Sequence, residues 1–167
     1  MDLKQLQRPL KARYKEEPQA ARITLTARGS ETDAPVGCSV DLGRAIQAAE
    51  AHSGVGGPGT GACSGDLLLG ALAACAQITC QMVASAMEIP TERIEVVVEG
   101  DLDLRGTLGV DREAPVGFEE IRARFEIDAP DASGEQLEQL VEKTERYCVV
   151  LQTLEGEPRI TTALAGR

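Results

Sequence analysis

The sequence predicts an α+β fold in which helices pack on one side of an antiparallel sheet. Residues 121–127 alternate strictly between apolar and charged side chains, which is typical of a strand with one buried and one solvated face. Residues 64–88 form a long, mostly apolar helical stretch that Pro90 ends. Strand-like and helical stretches are interspersed through 167 residues, a length that fits one domain over 1–167.

The first third of the chain predicts two short strands and a helix. Residues 23–27 and 38–42 alternate in polarity, and a turn over 29–35 would join these strands. Residues 42–52 are rich in Ala and Gln and predict a short helix.

The glycine-rich stretch 53–62 predicts a mobile linker. A loop of this composition that opens a helix could cradle a phosphate, so a nucleotide site is one alternative. The stretch lacks the Lys of a Walker loop, however, and it follows a helix-like segment rather than the strand of a dinucleotide fingerprint. We therefore favour the linker.

The long helix over 64–88 is the centre of the predicted fold. Ser64 is the expected N-cap, and Asp66 lies in the first turn, where the helix dipole favours a carboxylate. Because apolar side chains surround most of this helix, we expect a second subunit to bury it in a homodimer. The face expected to point inward carries Leu68, Ala71, Leu72, Cys75, Thr79, Met82 and Ala86.

Two strands, a helix and a last strand follow. Residues 94–104 and 121–127 predict the strands, and their long connection over 105–117 is expected to be mobile or to reach over a partner subunit. Ser133 and Gln136 fit a capping box that opens the helix. The inner stripe of that helix is Leu137, Leu140, Val141, Thr144, Tyr147 and Cys148, and the final strand contains Ile160, Thr162 and Leu164.

Charge and composition argue against several classes of function. Lys and Arg number 17 against 27 Asp and Glu, and the net charge of −10 would repel nucleic acid and anionic membranes. No apolar run reaches the length of about 20 residues that spans a bilayer, and no leader sequence is expected. One histidine and five cysteines without a CxxC pair give no metal-ligand set. We expect a cytoplasmic protein with reduced thiols, no metal and no cofactor.

Thiol chemistry is the remaining possibility. A hydrolase would have to use His52, but no Gly-x-Ser-x-Gly motif accompanies it. A single cysteine is more often a small buried hydrophobe than a reactive group, and we assign Cys38, Cys63 and Cys80 to that class. The other two, at positions 75 and 148, differ because each falls on the inward face of a predicted helix.

The segments around these two cysteines resemble the motifs of a known family. Ser64-Gly-Asp-Leu-Leu-Leu-Gly-Ala-Leu-Ala-Ala-Cys75 resembles the first motif of the OsmC/Ohr family, the osmotically inducible and organic hydroperoxide resistance proteins. Glu145-Arg-Tyr-Cys148-Val-Val-Leu-Gln-Thr-Leu resembles the second motif, without the Pro that usually follows its Cys. The spacing of 73 residues and the two intervening strands also fit, and the resemblance runs from about Ile23 to Leu164.

The resemblance implies an OsmC-like fold and a Cys-based peroxidase. The implied fold has antiparallel sheets, a long central buried helix and a second Cys-bearing helix, in an intertwined dimer. Cys75 would attack an organic hydroperoxide as a thiolate and become a sulfenic acid, and Cys148 would resolve it as a disulfide. An external dithiol would then reduce the disulfide.

A buried thiolate needs a group that offsets desolvation. The resemblance implies an Arg for this task, oriented by a Glu ten residues before the Cys. Gly65 stands at the position of that Glu, and Asp66 is either its substitute or an ordinary helix-start carboxylate. No Arg occurs between Arg44 and Cys75, so Arg44 and a protonated His52 are the candidate cations.

A non-catalytic protein is the second hypothesis. It would be a dimer of the same fold that binds a small apolar or thiol-bearing ligand, and Gly65 in place of the Glu favours it. The reactivity of Cys75 distinguishes the two, because a catalytic thiolate is alkylated rapidly at neutral pH and a structural thiol is nearly inert.

Overall fold

The computed structural model describes residues 3–22, 24, 28–31, 37–41 and 46–166. The chain divides into two compact units, Met1–Gly70 with Val98–Ala123 and Ala71–Val97 with Arg124–Arg167. We call them the first and the second unit and describe each by itself. The expectation of a single domain over 1–167 stays a prediction.

The chain contains five helices and five strands in its described residues, which is typical of an α+β fold. The elements are α1 (Leu3–Glu16), β1 (Arg28–Glu31), β2 (Gly37–Asp41), β3 (Ile46–Glu50), α2 (Ser64–Met87), β4 (Arg93–Leu102), α3 (Leu104–Thr107), β5 (Phe118–Asp128), α4 (Gly134–Tyr147) and α5 (Val149–Glu155). Two short 3₁₀ turns, Pro18–Ala21 and Ser53–Val55, lie between them.

The first unit contains a three-stranded antiparallel sheet in the order β1-β2-β3. Strand β2 confirms the predicted strand near 38–42, whereas the predicted turn is wrong at Gly29 and Ser30, which lie inside β1. Most of the predicted strand over 23–27 lies outside the described residues. The predicted helix over 42–52 is wrong at Ile46–Glu50, because these residues pair with β2 and the ladder overrides the helix propensity of Ala and Gln.

Helix α1 has no counterpart in the sequence prediction. It covers Leu3–Glu16, for which the sequence analysis predicted no element. Leu3, Leu6 and Leu10 recur at spacings of three and four residues, and this period is the signal that could have revealed it.

The glycine-rich stretch 53–62 is tied to the end of β3. The Glu50 carboxylate accepts hydrogen bonds from the backbone N–H groups of Thr60 and Gly61, and the Glu50 N–H donates to the Ala62 carbonyl at 3.0 Å. A carboxylate already occupies these amide donors, which argues against a nucleotide phosphate there. Position 57 requires glycine because the backbone of Ala51 lies against it, and a Cβ there would be 1.7 Å from the Ala51 carbonyl oxygen.

Helix α2 matches the predicted helix at both ends to within one residue. It begins at Ser64, so Cys63, not Ser64, occupies the N-cap position. The Leu67 N–H donates to the Cys63 carbonyl at 3.1 Å. At the other end Glu88 adopts φ 60°, and the Ile89 N–H returns to the Ala84 carbonyl at 3.0 Å, which stops the helix.

The buried face of α2 differs from the predicted one. Its buried residues are Leu72, Ala76, Cys80, Val83 and Ala84. Four residues assigned to the inner face are instead exposed, namely Leu68, Ala71, Met82 and Ala86. Apolar residues lie on nearly every side of this helix, so periodicity could not select the face that packs. Its mean hydropathy of 1.8 over 18 residues and its 24-residue length would also allow it to cross a membrane, but core helices of soluble proteins share these properties.

The core of the second unit lies where α2, the β4-β5 sheet and α4 meet. Buried Cys80, Val83, Ala84, Ile89, Ala129 and Leu140 form one cluster. The Gln77 side-chain amide donates to the Ile94 carbonyl at 2.8 Å and ties α2 to β4. The predicted capping box of α4 is confirmed, with Ser133 and Gln136 each accepting from the other's backbone N–H.

Strands β4 and β5 form a separate two-stranded sheet and confirm the predicted strands. They run antiparallel, because Glu92 is bonded to Asp128 at one end and Arg122 is paired with Asp101 towards the other. Their connection contains α3, and Arg105 bridges Asp103 and Asp111 within it. The mobility expected of 105–117 stays a prediction.

The prediction of a last strand with Ile160, Thr162 and Leu164 is wrong. Residues 157–166 form no strand, and Ile160 and Leu164 are 81% and 98% exposed. A strand needs a neighbour for its backbone hydrogen bonds, and among the described residues none pairs with this segment.

Candidate active site around Cys75 and Cys148

The second unit brings Cys75 and Cys148 close enough for each thiol to shift the pKa of the other. Cys75 is half-buried in the middle of α2. Cys148 is fully buried between α4 and α5, and both thiols are free. Two cysteines that are 73 positions apart in sequence therefore share one site.

Local backbone geometry explains the position of Cys148. It ends α4 and begins α5 with an extended backbone, φ −73° and ψ 107°. Its N–H donates to the Thr144 carbonyl at 2.8 Å, and its carbonyl accepts from the Gln152 N–H at 2.9 Å. Tyr147, the last residue of α4, is 61% exposed, so its predicted place on the inner stripe is wrong.

The first turn of α5 supplies donors to Cys75. The first N–H groups of a helix have no partner within it. Those of Val149 and Val150 act to lower the pKa of the Cys75 thiol, and so does the Thr79 hydroxyl, one turn further along α2.

These contacts favour the anionic form of Cys75. Burial acts to raise the pKa of this thiol, but hydrogen bonds from the Val150 N–H, the Cys148 thiol, the Thr79 hydroxyl and the Val149 N–H together outweigh it. The net result is a lowered pKa.

Cys148 is held in the protonated form. Burial is the main cause of its raised pKa, and the hydrogen bond and charge of Cys75 act in the same direction. The backbone N–H groups of Leu151 and Val150 oppose this only in part. The pair is therefore asymmetric, and Cys75 is the thiol that ionises more readily.

The other cysteines have different surroundings. Cys80 is fully buried, and burial raises its pKa despite a hydrogen bond with the Thr144 side chain. Cys63 is half-buried at the start of α2, where its side chain is bonded to Asp66. Cys38 lies in β2, in the first unit.

Asp66 contributes to the start of α2. Its carboxylate accepts the Cys63 N–H at 2.8 Å, and this bond is the main cause of its lowered pKa; the Cys63 side chain and the His52 charge add to it. His52 is exposed and its Nδ1 accepts the Gly54 N–H at 3.0 Å. Asp66 and His52 lie in the first unit and Cys75 in the second, so their expected help to the Cys75 thiolate stays a prediction, and Arg44 lies outside the described residues.

We expect Asp66→Ala to lower the free energy of unfolding at pH 7 by about 0.5–1 kcal/mol, because the N-cap amide loses its acceptor in a largely exposed position. Because the pKa of Asp66 is lowered, its carboxylate stabilises the folded chain at pH values above the ordinary pKa of aspartate. This stabilisation is lost as the pH falls through the lowered pKa. Urea titrations at both ends of this range measure the difference, with exposed Asp131→Ala as the control.

A second variant at this position decides between the two interpretations of Asp66. If Asp66 acts only at the helix start, Asp66→Asn leaves the alkylation rate of Cys75 unchanged. A rate that falls severalfold would instead assign Asp66 the orienting role of the Glu that the family resemblance implies.

The sequence prediction did not include the donors to Cys75 among the site residues. Thr79 follows Cys75 by four residues, which places both on one helix face, and this spacing could have identified it. The two valine amides carry no such signal, because their role depends on the helix break at Cys148. Among the described residues no group of three His, Cys, Asp or Glu side chains could hold a metal ion.

Comparison with known proteins gives the family. A family model for OsmC-like proteins matches residues 57–163. The chain belongs to this family, which confirms the resemblance seen in its motifs. No curated protein sequence matches the chain.

Solved structures share the fold at low sequence identity. An OsmC-like protein from Mycoplasma pneumoniae is 20% identical over 81% of this chain and 89% of its own, with a TM-score of 0.63. An OsmC-like protein of unknown function from Vibrio cholerae is 12% identical over 80% and 95%, with a TM-score of 0.67. An organic hydroperoxide resistance protein from Elizabethkingia anophelis is 18% identical over 82% and 91%, with a TM-score of 0.61. The α+β fold is therefore OsmC-like.

Proposed function

We propose that the protein is a thiol-dependent peroxidase that reduces organic hydroperoxides. The observation that carries this proposal is the asymmetric pair, in which the pKa of Cys75 is lowered and that of its contact Cys148 is raised. A nucleophilic thiolate and a protonated thiol beside it are what the two half-reactions need. The fold is shared with proteins named for organic hydroperoxide resistance, which supports the substrate class.

The first half-reaction oxidises Cys75. Its thiolate attacks the distal oxygen of the hydroperoxide, an S–O bond forms and the O–O bond breaks. The alkoxide leaves and takes up a proton, so the products are an alcohol and a sulfenic acid on Cys75.

The second half-reaction uses Cys148. Its sulfur attacks the sulfenic acid, the S–O bond breaks, and the departing hydroxide takes the Cys148 proton as water. The resulting disulfide is reduced by an external dithiol, which becomes a disulfide itself and returns both cysteines to thiols. We place this cycle in the cytoplasm, where thiols are kept reduced.

The rate of hydroperoxide consumption is expected to rise with pH and to level off, with a midpoint below the pKa of an ordinary cysteine. The thiolate is the reacting form, so the rate follows the deprotonation of Cys75, whose pKa is lowered. Initial rates with cumene hydroperoxide and excess dithiothreitol across the neutral range measure the midpoint. A midpoint at or above the ordinary value would contradict the proposal, and hydrogen peroxide should react more slowly than the organic substrate.

The proposed assembly is an intertwined homodimer that covers α2. Its exposed face carries Ile78, which is 56% exposed, together with Leu68 and Met82 at 39% each. The unpaired segment with exposed Ile160 and Leu164 is a further apolar surface that a second subunit could cover.

We expect Ile78→Glu to convert the dimer to a monomer, because it places a charge on the apolar face of α2. Sedimentation velocity at micromolar concentration measures this shift. Gln139→Glu, an exposed position on α4, is the control and should remain dimeric. A wild-type chain that sediments as a monomer would rule the dimer out.

A non-catalytic binding protein of the same fold is the second candidate. The observation that favours it is that the described contacts of the Cys75 sulfur are all uncharged, with no cation among them. The discriminating test is alkylation of Cys75 by iodoacetamide at neutral pH. A rate no faster than that of buried Cys80 would favour the binding protein.

A further inference from the structure

A groove on the surface of the second unit lies between β5 and α4. It has a volume of about 470 Å³, and its apolar floor consists of the half-buried side chains of Phe125, Ile127, Leu137 and Val141. Three of them, Phe125, Ile127 and Leu137, also pack against the buried cluster around Leu140. The groove is therefore a fixed apolar surface rather than a gap between loose side chains.

One wall of this groove is acidic. Glu138, Glu142 and Glu145 line it from α4, and their spacing of four and three residues places them in one row along the helix. All three are exposed, and no Lys or Arg in the described part of the chain forms an ion pair with them. An occupant that covers these carboxylates has to bring positive charge, because a buried unpaired carboxylate is costly. The groove therefore fits a partner with an apolar face beside a cationic one.

Helix α1 has this combination. It contains five Lys or Arg residues and one Glu, in a chain whose net charge is −10. Its sequence has an apolar row of three leucines, Leu3, Leu6 and Leu10. A cationic row follows one position later, with Lys4, Arg8 and Lys11. Arg8 and Lys11 are exposed, and among the described carboxylates none is paired with either.

We propose that the groove binds helix α1 of a second copy of this chain, with the leucine row on the apolar floor and the cationic row along the acidic wall. An amphipathic helix in an apolar groove is a common mode of recognition. In a symmetric dimer each chain can give its own α1 and receive that of its partner, so the contacts close within two copies.

The two charged rows match in spacing. The cationic and the acidic row each span seven residues, about 10 Å along a helix axis, and each has its middle member four residues after the first. Arg8 therefore meets Glu142 whether the two helices run parallel or antiparallel. Because exposed ion pairs contribute little to stability, we expect the leucine row to supply most of the affinity and the charges to select the register.

The proposal rests on the proposed homodimer for its second copy and does not depend on peroxidase activity. Carbodiimide crosslinking of the full, reduced chain tests it, because this reagent joins a lysine amine directly to a carboxylate in contact with it. Unlabelled and isotope-labelled chains are mixed in urea and refolded together, and the linked peptides are identified by mass. We expect links from Lys4 and Lys11 to Glu138 or Glu145 that join a labelled to an unlabelled peptide. Their yield should fall severalfold at about 1 M salt, where the Debye length is about 3 Å.

A charge exchange tests the register. Arg8→Glu alone and Glu142→Lys alone should each lower the yield of links between chains severalfold, because each places like charges opposite one another. The double variant should restore the yield and add a link between positions 8 and 142, which the wild type cannot form because the reagent does not couple a guanidinium. Gln139→Lys, at an exposed position of α4 outside the groove, is the control and should crosslink like the wild type.

Three results would overturn the docking of α1. The first is a set of links only within one chain, and the second is the absence of links between α1 and α4 in a chain that sediments as a dimer. Either one leaves the proposed homodimer intact. The third is a double variant that does not recover the links lost in the single variants. A wild-type chain that sediments as a monomer would reject both the docking and the dimer.

Discussion

Cys75→Ser is expected to reduce hydroperoxide consumption by about 10³-fold or more, to the level of buffer with dithiol alone. A serine hydroxyl is not ionised at neutral pH, so the oxygen that replaces the sulfur cannot attack the peroxide. The groups that lower the pKa of Cys75 then have no anion to stabilise. The loss should therefore appear in kcat, with the fold and the free energy of unfolding nearly unchanged.

The control for this variant is Cys63→Ser. Cys63 is a half-buried thiol at the start of the same helix, bonded to Asp66 rather than to Cys148. A hydroxyl can make the same bond, so Cys63→Ser should consume hydroperoxide at the wild-type rate. Retention of activity in Cys75→Ser, or its loss in Cys63→Ser, would show that a different cysteine is the nucleophile.

Cys148→Ser is expected to reduce one equivalent of hydroperoxide per chain and then stop. Oxidation of Cys75 does not require the second thiol, so the first turnover should survive. The sulfenic acid then has no thiol within reach and is oxidised further to a sulfinic acid. Single-turnover kinetics and the intact mass of the product measure both effects.

A small thiol in solution should partly restore turnover to Cys148→Ser, because it can attack the sulfenic acid on half-buried Cys75 in place of Cys148. Cys80→Ala is the control, since Cys80 is a fully buried thiol that contacts Thr144 rather than Cys75. Continued turnover of Cys148→Ser at the wild-type rate would remove Cys148 from the mechanism.

Prediction from the sequence succeeds where a pattern of residues is compatible with only one local structure. The alternation in β5 and the capping box at Ser133 and Gln136 each specify a single local structure, and both are observed. The bounds of α2 are likewise set by its apolar length and by Pro90.

Prediction fails where the outcome depends on contacts distant in sequence. Apolar residues surround α2, so only packing against α4 and β4 selects the face with Cys80 and Val83. The Ala-rich segment Ile46–Glu50 becomes a strand because β2 lies beside it, and the segment around Ile160 forms none because no described strand does.

At the candidate site, too, the sequence predicts some of the residues, and the others depend on contacts between distant parts of the chain. Motif resemblance selected Cys75 and Cys148 from five cysteines, and the structure brings their thiols close enough to shift each other's pKa. The groups that favour the thiolate could not be chosen by residue type, because two of them are backbone amides and Thr79 resembles any helical threonine. The charged residues that were expected to help, Asp66 and His52, contact the start of α2 and the loop before it.

Peptide mapping after one equivalent of cumene hydroperoxide tests the central claim most directly. Fully reduced protein is oxidised, alkylated and digested without reductant, and the linked peptides are identified by mass. The account predicts one disulfide, between Cys75 and Cys148, with the other three cysteines alkylated. A link between Cys75 and Cys80, a link between Cys38 and Cys63, or a chain with every cysteine unreacted would contradict it.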